Sequence, residues 1–339
     1  MEPLRIGVLG CADIARRRML PAIARVPDTE VVAVASRDPE RAARTAREFD
    51  CRPVTGYPEL LARPDVDAVY VPLPAALHAE WVEAALRAGK HVLAEKPVTT
   101  DPDRTAALVE LARSRDLILM ENVMFVHHAQ HAVVARLLRE GVIGELRAFE
   151  ATFTIPALPD DDIRYRPELG GGALSDVGVY PVRAALHVLG PELAVVGAVL
   201  TTGAERLVDT SGAALLRTPD GVTASLLFGL EHAYRSRYEL IGATGRIVLD
   251  RAFTPPADHH PVVRVERFDG VQEIRLEPDD QVRNTVAAFA SAVRAGAGSG
   301  DPAGVGDSLR LARLLHDVRE RAASLLTRSR RSSPSCSGA

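Results

Sequence analysis

Apolar and polar positions follow two different schedules along the chain. In the first third, short unbroken apolar runs recur between amphipathic stretches. Arg5-Ile6-Gly7-Val8-Leu9, Val31-Val32-Ala33-Val34-Ala35, Asp67 to Val71, His91-Val92-Leu93-Ala94 and Leu117-Ile118-Leu119-Met120 each read as a buried strand. Helical patterns follow: one to about Arg25, one through His78 to Ala88 with Gly89 as its C′ residue, and one capped by Thr99-Thr100-Asp101 with Pro102 in its first turn. Strand and helix in repeated alternation predict a doubly wound parallel sheet.

After Asn122 the schedule changes. Phe125 to Gln130 leads into a helix ending near Gly141. From Leu146 onward strands dominate, at 146–154, 194–201, 212–218, 222–229, 235–242, 245–250 and 262–268. Ile241-Gly242-Ala243-Thr244-Gly245-Arg246-Ile247 reads as a hairpin with glycines at its turn. This half is expected to be an α+β domain with a large, mostly antiparallel open sheet, one face covered by helices. Helices near 279–295 and 305–325 finish it. The expected division is 1–123, 124–326, and a Ser/Arg-rich tail at 327–339 that lacks the apolar content to fold.

Composition narrows the function classes. A chain of 339 residues has ample length for two domains, and 47% hydrophobic with 25% charged residues is a globular balance. A formal net charge of -4 implies no basic surface for nucleic acid. Cys11, Cys51 and Cys336 show neither metal spacing nor a disulfide framework, which suits a reducing cytoplasm; Cys336, in the tail, is incidental. Met1-Glu2-Pro3-Leu4-Arg5 runs directly into a strand with no signal peptide, and no apolar run has membrane-spanning length. A cytoplasmic protein is expected.

The chemistry collects where strands end. Gly10-Cys11-Ala12-Asp13-Ile14-Ala15 follows the first strand and opens a helix, the place of the dinucleotide fingerprint G-x-G-x-x-G/A. Gly10 supplies the tight turn, and Ala15 is small enough for helix-strand packing. Ala12 replaces the middle glycine, so a pyrophosphate would sit slightly farther from the backbone. After the second strand, where a Rossmann fold that binds NAD carries an acidic residue, stand Ser36 and Arg37. A hydroxyl and a guanidinium suit a 2′-phosphate, hence NADP; Asp38, next along, argues the other way. Pro72 and Pro74 keep the exit of a further strand extended. His78, just beyond, either touches the nicotinamide ribose or is a surface histidine.

Glu95-Lys96-Pro97 ends another buried strand. Open α/β sheets bind ligands beyond their strands' carboxyl ends, so Lys96 is placed to enter a crevice, with Pro97 fixing the turn, a cis bond being one way to do so. The plain alternative is a neutralised Glu-Lys pair. His127, His128 and His131 invite a metal, but no third acidic ligand is fixed by spacing, and polar residues flanking a pocket are the preferred reading. Gly170-Gly171-Gly172 permits close backbone approach to a ligand. If a helix starts near Ala173, Asp176 and Tyr180 share a face, a carboxylate and a phenol beside a carbonyl. A buried tyrosine with a helix-start aspartate is the alternative.

With the fingerprint, Glu95-Lys96-Pro97 and Asp176-x-Gly178-x-Tyr180 in place, the chain resembles the glucose-fructose oxidoreductase/inositol dehydrogenase/MocA (Gfo/Idh/MocA) family to about residue 325. The resemblance implies a Rossmann domain, a second domain with an open sheet, a nicotinamide cofactor between them, and homo-oligomers (dimer or tetramer). It maps the motif lysine to Lys96, and the position that is His in inositol dehydrogenases to Tyr180. Val71-Pro72-Leu73-Pro74-Ala75, Leu77-His78-Ala79-Glu80-Trp81, Met120-Glu121-Asn122, Asp162-Ile163-Arg164-Tyr165, Glu231-His232-Ala233-Tyr234 and Phe253-Thr254-Pro255-Pro256-Ala257 look like the nucleotide-sugar 3-ketoreductases of actinomycete deoxysugar biosynthesis. That branch implies NADPH and a dTDP-linked 3,4-diketo-2,6-dideoxyhexose, reduced at C-3 to a dTDP-4-keto-2,6-dideoxyhexose.

The expected cofactor set is Gly10, Cys11, Ala12, Asp13, Ile14, Ala15, Arg16, Ser36, Arg37, Tyr57, Leu73, His78, Glu95, Lys96, Arg164 and Asp176. The substrate set is Asn122, Phe125, Tyr180, Tyr234 and Thr254, the last two from resemblance alone; no metal site is expected. Lys96 is the expected charge and proton donor, with Tyr180 its partner or substitute, its phenol eased toward ionisation by the ammonium. Asp176 would orient them. Two rivals remain: a dehydrogenase of a free sugar, cyclitol or dihydrodiol, and a non-catalytic ligand-sensing protein of the same fold.

Overall fold

The computed structural model describes residues 2–203, 205–296, 301 and 303–331. Strands β1 (Leu4–Leu9), β2 (Thr29–Ser36), β3 (Arg52–Thr55), β4 (Ala68–Val71), β5 (His91–Glu95) and β6 (Leu119–Asn122) form one sheet. Their order is β3-β2-β1-β4-β5-β6, and every neighbouring pair is parallel. The order reverses direction between β1 and β4, and that reversal opens the crevice in which such sheets take ligands. Helices α1 (Leu20–Arg25), α2 (Pro39–Glu48), α3 (Tyr57–Leu61), α4 (Ala75–Arg87) and α5 (Pro102–Ser114) cross between the strands. Asp38 caps α2 and Asp101 caps α5, each accepting from two backbone N–H groups, with proline in the first turn of both helices.

Beyond β6, a 3-10 turn (Met124–His127) leads into α6 (Ala129–Arg139). A second sheet follows, of β7 (Leu146–Thr154), β8 (Ala194–Thr202), β9 (Asp209–Arg217), β10 (Thr223–Gly229), β11 (Arg235–Gly242), β12 (Gly245–Asp250), β13 (Val262–Arg267) and β14 (Gly270–Arg275). Its order is β14-β13-β12-β11-β7-β10-β9-β8, antiparallel except for the pair β10-β7. Helix α7 (Val179–Leu189) lies on its inner face, where Phe149, Phe153, Phe228 and Tyr238 are buried with Val182 and Leu186.

Two strands were not announced by apolar pattern, and both are edges. β3 is exposed or half-exposed throughout, and β14 buries none of its residues. An edge strand with little core to cover carries no hydrophobic alternation to read. The two-block division also fails at the C-terminus. Val282, Val286 and Phe289 of α8 (Gln281–Ala295) pack with Ile6, Met19 and Ile23 in the core of the first sheet. α9 (Val305–Arg331) touches α5 and β6 of the first half and α7 and β8 of the second. Its helix runs past residue 325; residues 332–339, with Cys336, lie outside the described residues. Among the described residues no helix is long and apolar enough to cross a membrane.

One glycine is fixed by close approach. β11 slips register between Ile241 and Gly242, and a Cβ on Gly242 would lie 2.2 Å from the Ile143 carbonyl oxygen. Gly242→Ala is therefore expected to cost about 2 kcal/mol of stability, read as a lower urea midpoint at unchanged m, because backbone must move to admit the methyl. An unchanged midpoint would show that the β7–β11 end is slack.

Candidate active site

The first and second sheets face each other across a cleft of about 1200 Å³ lined from both halves. Lys96 reaches into it from the end of β5, beyond a cis Lys96–Pro97 bond. Its ammonium crosses to the other half, donating to Asp176 Oδ1 at 2.9 Å and to the Asp176 carbonyl oxygen at 2.7 Å. It also stands 5.2 Å from the centre of the Tyr180 ring. The segment carrying Asp176 is a π-helical turn, Leu174–Gly178, running into α7. Pro181 brings no N–H to the turn before it, and π turns of this kind recur at functional sites.

The electrostatics of this trio follow from the shared burial. Burial disfavours the Lys96 ammonium, but Asp176, with Tyr180 and Glu95 beside it, outweighs that and holds the amine above the usual lysine range. Burial likewise opposes the Asp176 carboxylate, and Lys96 with Arg164 keeps it ionised. For Tyr180 burial wins: its phenol is pushed up despite Lys96 nearby. This corrects the expectation that the ammonium eases the phenol toward ionisation. The phenol therefore stays protonated at neutral pH.

Glu95 is held by the Tyr70 hydroxyl and the Asn122 amide, both 2.6 Å from its Oε1. Glu121, one residue before Asn122, accepts from the Val98 N–H at 2.9 Å and so fixes the far side of the Lys96 turn. Tyr70 was given no role from sequence, because it sits in a strand that reads only as apolar core, and Glu121 entered only as part of the motif Met120-Glu121-Asn122.

His78 borders the cleft but is not the surface histidine of the second reading. It is 1% exposed, and its two ring nitrogens lie 2.7 Å from the carbonyl oxygens of Leu73 and Pro97. It ties the exits of β4 and β5 together. Burial lowers its pKa, against the pull of the two carbonyls.

At the other end of the cleft the chain bends at Gly10, which has φ of +120°, a conformation that suits glycine. Cys11, Ala12, Asp13 and Ile14 line the cleft; Ala15 is buried behind them. Arg16 turns away and pairs with Glu48 on the surface at 2.9 Å, whereas Arg18 lines the cleft. Asp38 spends its carboxylate on the α2 cap, and its own N–H goes to Ser36 Oγ. Arg37 lines the cleft, and so does Asp38, one oxygen of whose carboxylate is taken by the α2 cap. Arg41, one turn into α2 and not foreseen, lines it too, with one guanidinium N–H on the Cys11 carbonyl at 2.8 Å. Tyr57 is buried beside this end, edge-on to Trp81 at 4.8 Å. Two guanidiniums and a hydroxyl at one end of a dinucleotide-length cleft fit a phosphorylated adenosine.

Of the substrate candidates, Asn122, Tyr180 and Thr254 line the cleft. Phe125 does not: it is buried behind Tyr180 and Phe253. Tyr234 is half-exposed, its hydroxyl 3.4 Å from Thr254 Oγ1. The three glycines serve the chain itself more than a ligand. A Cβ on Gly170 would meet the Ala76 nitrogen at 2.9 Å, on Gly171 the Arg164 carbonyl at 2.5 Å, and on Gly172 the Asp209 carboxylate at 2.5 Å. His128 caps α6, and His131 bonds the Tyr238 hydroxyl at 2.9 Å in the core. Burial, helped by Arg183, pushes His127 down to about 4. Among the described residues no group of three His, Cys, Asp or Glu is arranged to hold a metal.

Comparison with known proteins places this cleft in a family. Residues 4–123 match the model of the Gfo/Idh/MocA oxidoreductase family with an NAD-binding Rossmann fold, and residues 131–248 match the Gfo/Idh/MocA C-terminal domain. A dTDP-3,4-didehydro-2,6-dideoxy-alpha-D-glucose 3-reductase of Saccharopolyspora spinosa is 59% identical, over 91% of this chain and 92% of its own. One of Actinomadura kijaniata is 56% identical, over 94% and 95%. The crystal structure of a 3-ketoreductase from Actinomadura kijaniata, in complex with NADP and TDP-benzene, superposes with a TM-score of 0.91 at 55% identity, covering 94% of this chain and 98% of that one. The chain belongs to the Gfo/Idh/MocA family of oxidoreductases.

Proposed function

We propose that this protein uses NADPH to reduce the C-3 ketone of a dTDP-linked 3,4-diketo-2,6-dideoxyhexose, giving the dTDP-4-keto-2,6-dideoxyhexose of a deoxysugar route. The observation that carries the reading is the Lys96–Asp176 ion pair beside Tyr180, inside a chain 59% identical to a reductase of that reaction.

NADPH, when bound, supplies the hydride. Gly10 to Ile14 would hold its pyrophosphate, and Ser36, Arg37 and Arg41 its 2′-phosphate. As the ketone becomes an alkoxide, the oxygen gains negative charge and needs a cation aimed at it. Lys96 answers this. Asp176 takes two of its three N–H donors, which leaves one for the oxygen. Lys96 gives the proton, and Tyr180, which keeps its own, gives a second hydrogen bond. Glu95, held by Tyr70 and Asn122, has its second carboxylate oxygen for ribose hydroxyls.

We further infer that two copies pair through the outer face of the second sheet. Val199, Ala213 and Leu227 stand directly across from one another on β8, β9 and β10. Val199 is 56% exposed and Leu227 44%, beside Leu215 and Val196 on the same open side. A contiguous apolar row on a flat sheet is the surface a second copy covers.

Three outcomes test these readings. With the upstream 2,3-dehydratase product generated in place, NADPH oxidation should occur in wild type but not with free aldoses or cyclitols. Lys96→Ala should then lower kcat about a thousandfold with NADPH affinity retained, and Tyr180→Phe roughly tenfold. The opposite ranking would exchange their roles. Arg37→Ala should raise the Kd of NADPH by about tenfold or more and leave that of NADH alone; equal weakening of both would remove the 2′-phosphate assignment. In sedimentation, Leu227→Lys should convert a wild-type oligomer to monomer, and a monomeric wild type at micromolar concentration would refute the pairing.

A further inference from the structure

Arg164 lines the cleft, and two of its three guanidinium nitrogens bond carboxylates within the protein. Its Nε donates to Asp176 Oδ2 at 2.7 Å, the oxygen that Lys96 does not use. Its Nη1 lies between both oxygens of Asp162, at 3.1 and 3.2 Å. Asp162 Oδ1 also accepts the Arg164 backbone N–H at 2.9 Å. Four charges thus alternate in sign: Lys96, Asp176, Arg164, Asp162.

The backbone around Arg164 is braced as well. Gly171 passes so close that only a hydrogen fits against the Arg164 carbonyl, and the Gly172 N–H donates to that carbonyl at 2.9 Å. The next residue, Tyr165, is covered by the Arg206 guanidinium 3.7 Å from its ring centre. Arg206 in turn pairs with Asp160 and Glu231. This is a built seat.

We propose that Arg164 is a positioning residue for the reaction: by holding the free oxygen of Asp176 it sets how firmly that carboxylate grips the Lys96 ammonium, and Asp162 sets how firmly Arg164 does so. The inference rests on the ketoreductase reading for its meaning in catalysis, and on geometry for the charge chain. A carboxylate shared between two cations binds each less tightly than it would bind one alone. Without Arg164, Asp176 serves Lys96 only; the ammonium is held harder and gives its proton to an alkoxide less readily. Without the charge of Asp162, Arg164 takes more of Asp176 and Lys96 is loosened. The other groups facing this chain are Glu95, at the end of the lysine's own strand, and Tyr180 on α7, with Glu121, Tyr70 and His78 behind the turn. None of them is hydrogen-bonded to Arg164, although its charge also reaches Tyr180; the hydrogen-bonded route from the two substitutions to Lys96 runs through Asp176.

The test reads Lys96 itself. The rate of labelling of the Lys96 amine by an acylating reagent, followed by peptide mass spectrometry against pH, needs neither substrate nor cofactor. Arg164→Gln should move its midpoint up, and Asp162→Asn should move it down, each by about half a pH unit or more. In turnover, Arg164→Gln should lower kcat about tenfold with the Kd of NADPH unchanged, and Arg164→Lys should restore part of kcat. Unmoved midpoints in both variants would overturn the proposal, as would a weaker NADPH affinity at unchanged kcat, which makes Arg164 a cofactor contact. A wild type without turnover defeats the ketoreductase reading instead, and the labelling midpoints still decide the charge chain.

Discussion

The ion pair between Lys96 and Asp176 is the constraint on which the site depends. It joins the end of a strand in one sheet to a helical turn that packs on the other. An ammonium that is 12% exposed would lose its proton to burial if nothing answered it. Asp176 answers with a side-chain oxygen and a backbone oxygen, so the charge survives inside the cleft. Removing Asp176 leaves an uncompensated ammonium at the junction of the two halves, whereas removing Lys96 leaves Asp176 to Arg164 alone.

Much of the surrounding structure holds those two residues in place. The turn after β5 is fixed at Pro97 by His78 and at Val98 by Glu121. The helix bearing Asp176 is backed by aromatic packing, with Phe153 4.8 Å from the Tyr180 ring and Phe125 and Phe253 behind it. α8 and α9 return from the C-terminus to pack against the first sheet, so the two halves share core and not only a cleft. A lysine reaching across a domain boundary needs that sharing, since an ion pair held only by a hinge would trade its partner for water.

Cofactor preference turns on one detail that residue types leave open. Ser36, Arg37 and Asp38 together carry opposite arguments for the 2′-phosphate. The conflict eases once Asp38 is seen capping α2, because two backbone N–H groups take its Oδ1, while the residue lines the same cleft as Arg37. The same cap places Arg41 one turn on, facing the loop after β1. Asp-Pro at a helix start was visible in the chain, and it held the signal for Arg41.

The sequence by itself determined the two sheets, their parallel and antiparallel character, and the lysine, aspartate and tyrosine at their junction. Buried strands and strand-end motifs are local patterns, written in consecutive residues. Edge strands β3 and β14 escaped because they bury too little to leave a pattern. Only the tertiary structure decided that Arg16 faces Glu48, that Phe125 supports Tyr180 from behind, that His78 ties two strand exits, and that Arg164 shares Asp176 with Lys96. Each of these is a contact between residues distant in the chain or a choice of face, and electrostatic sharing of one carboxylate depends on distances that residue order does not contain.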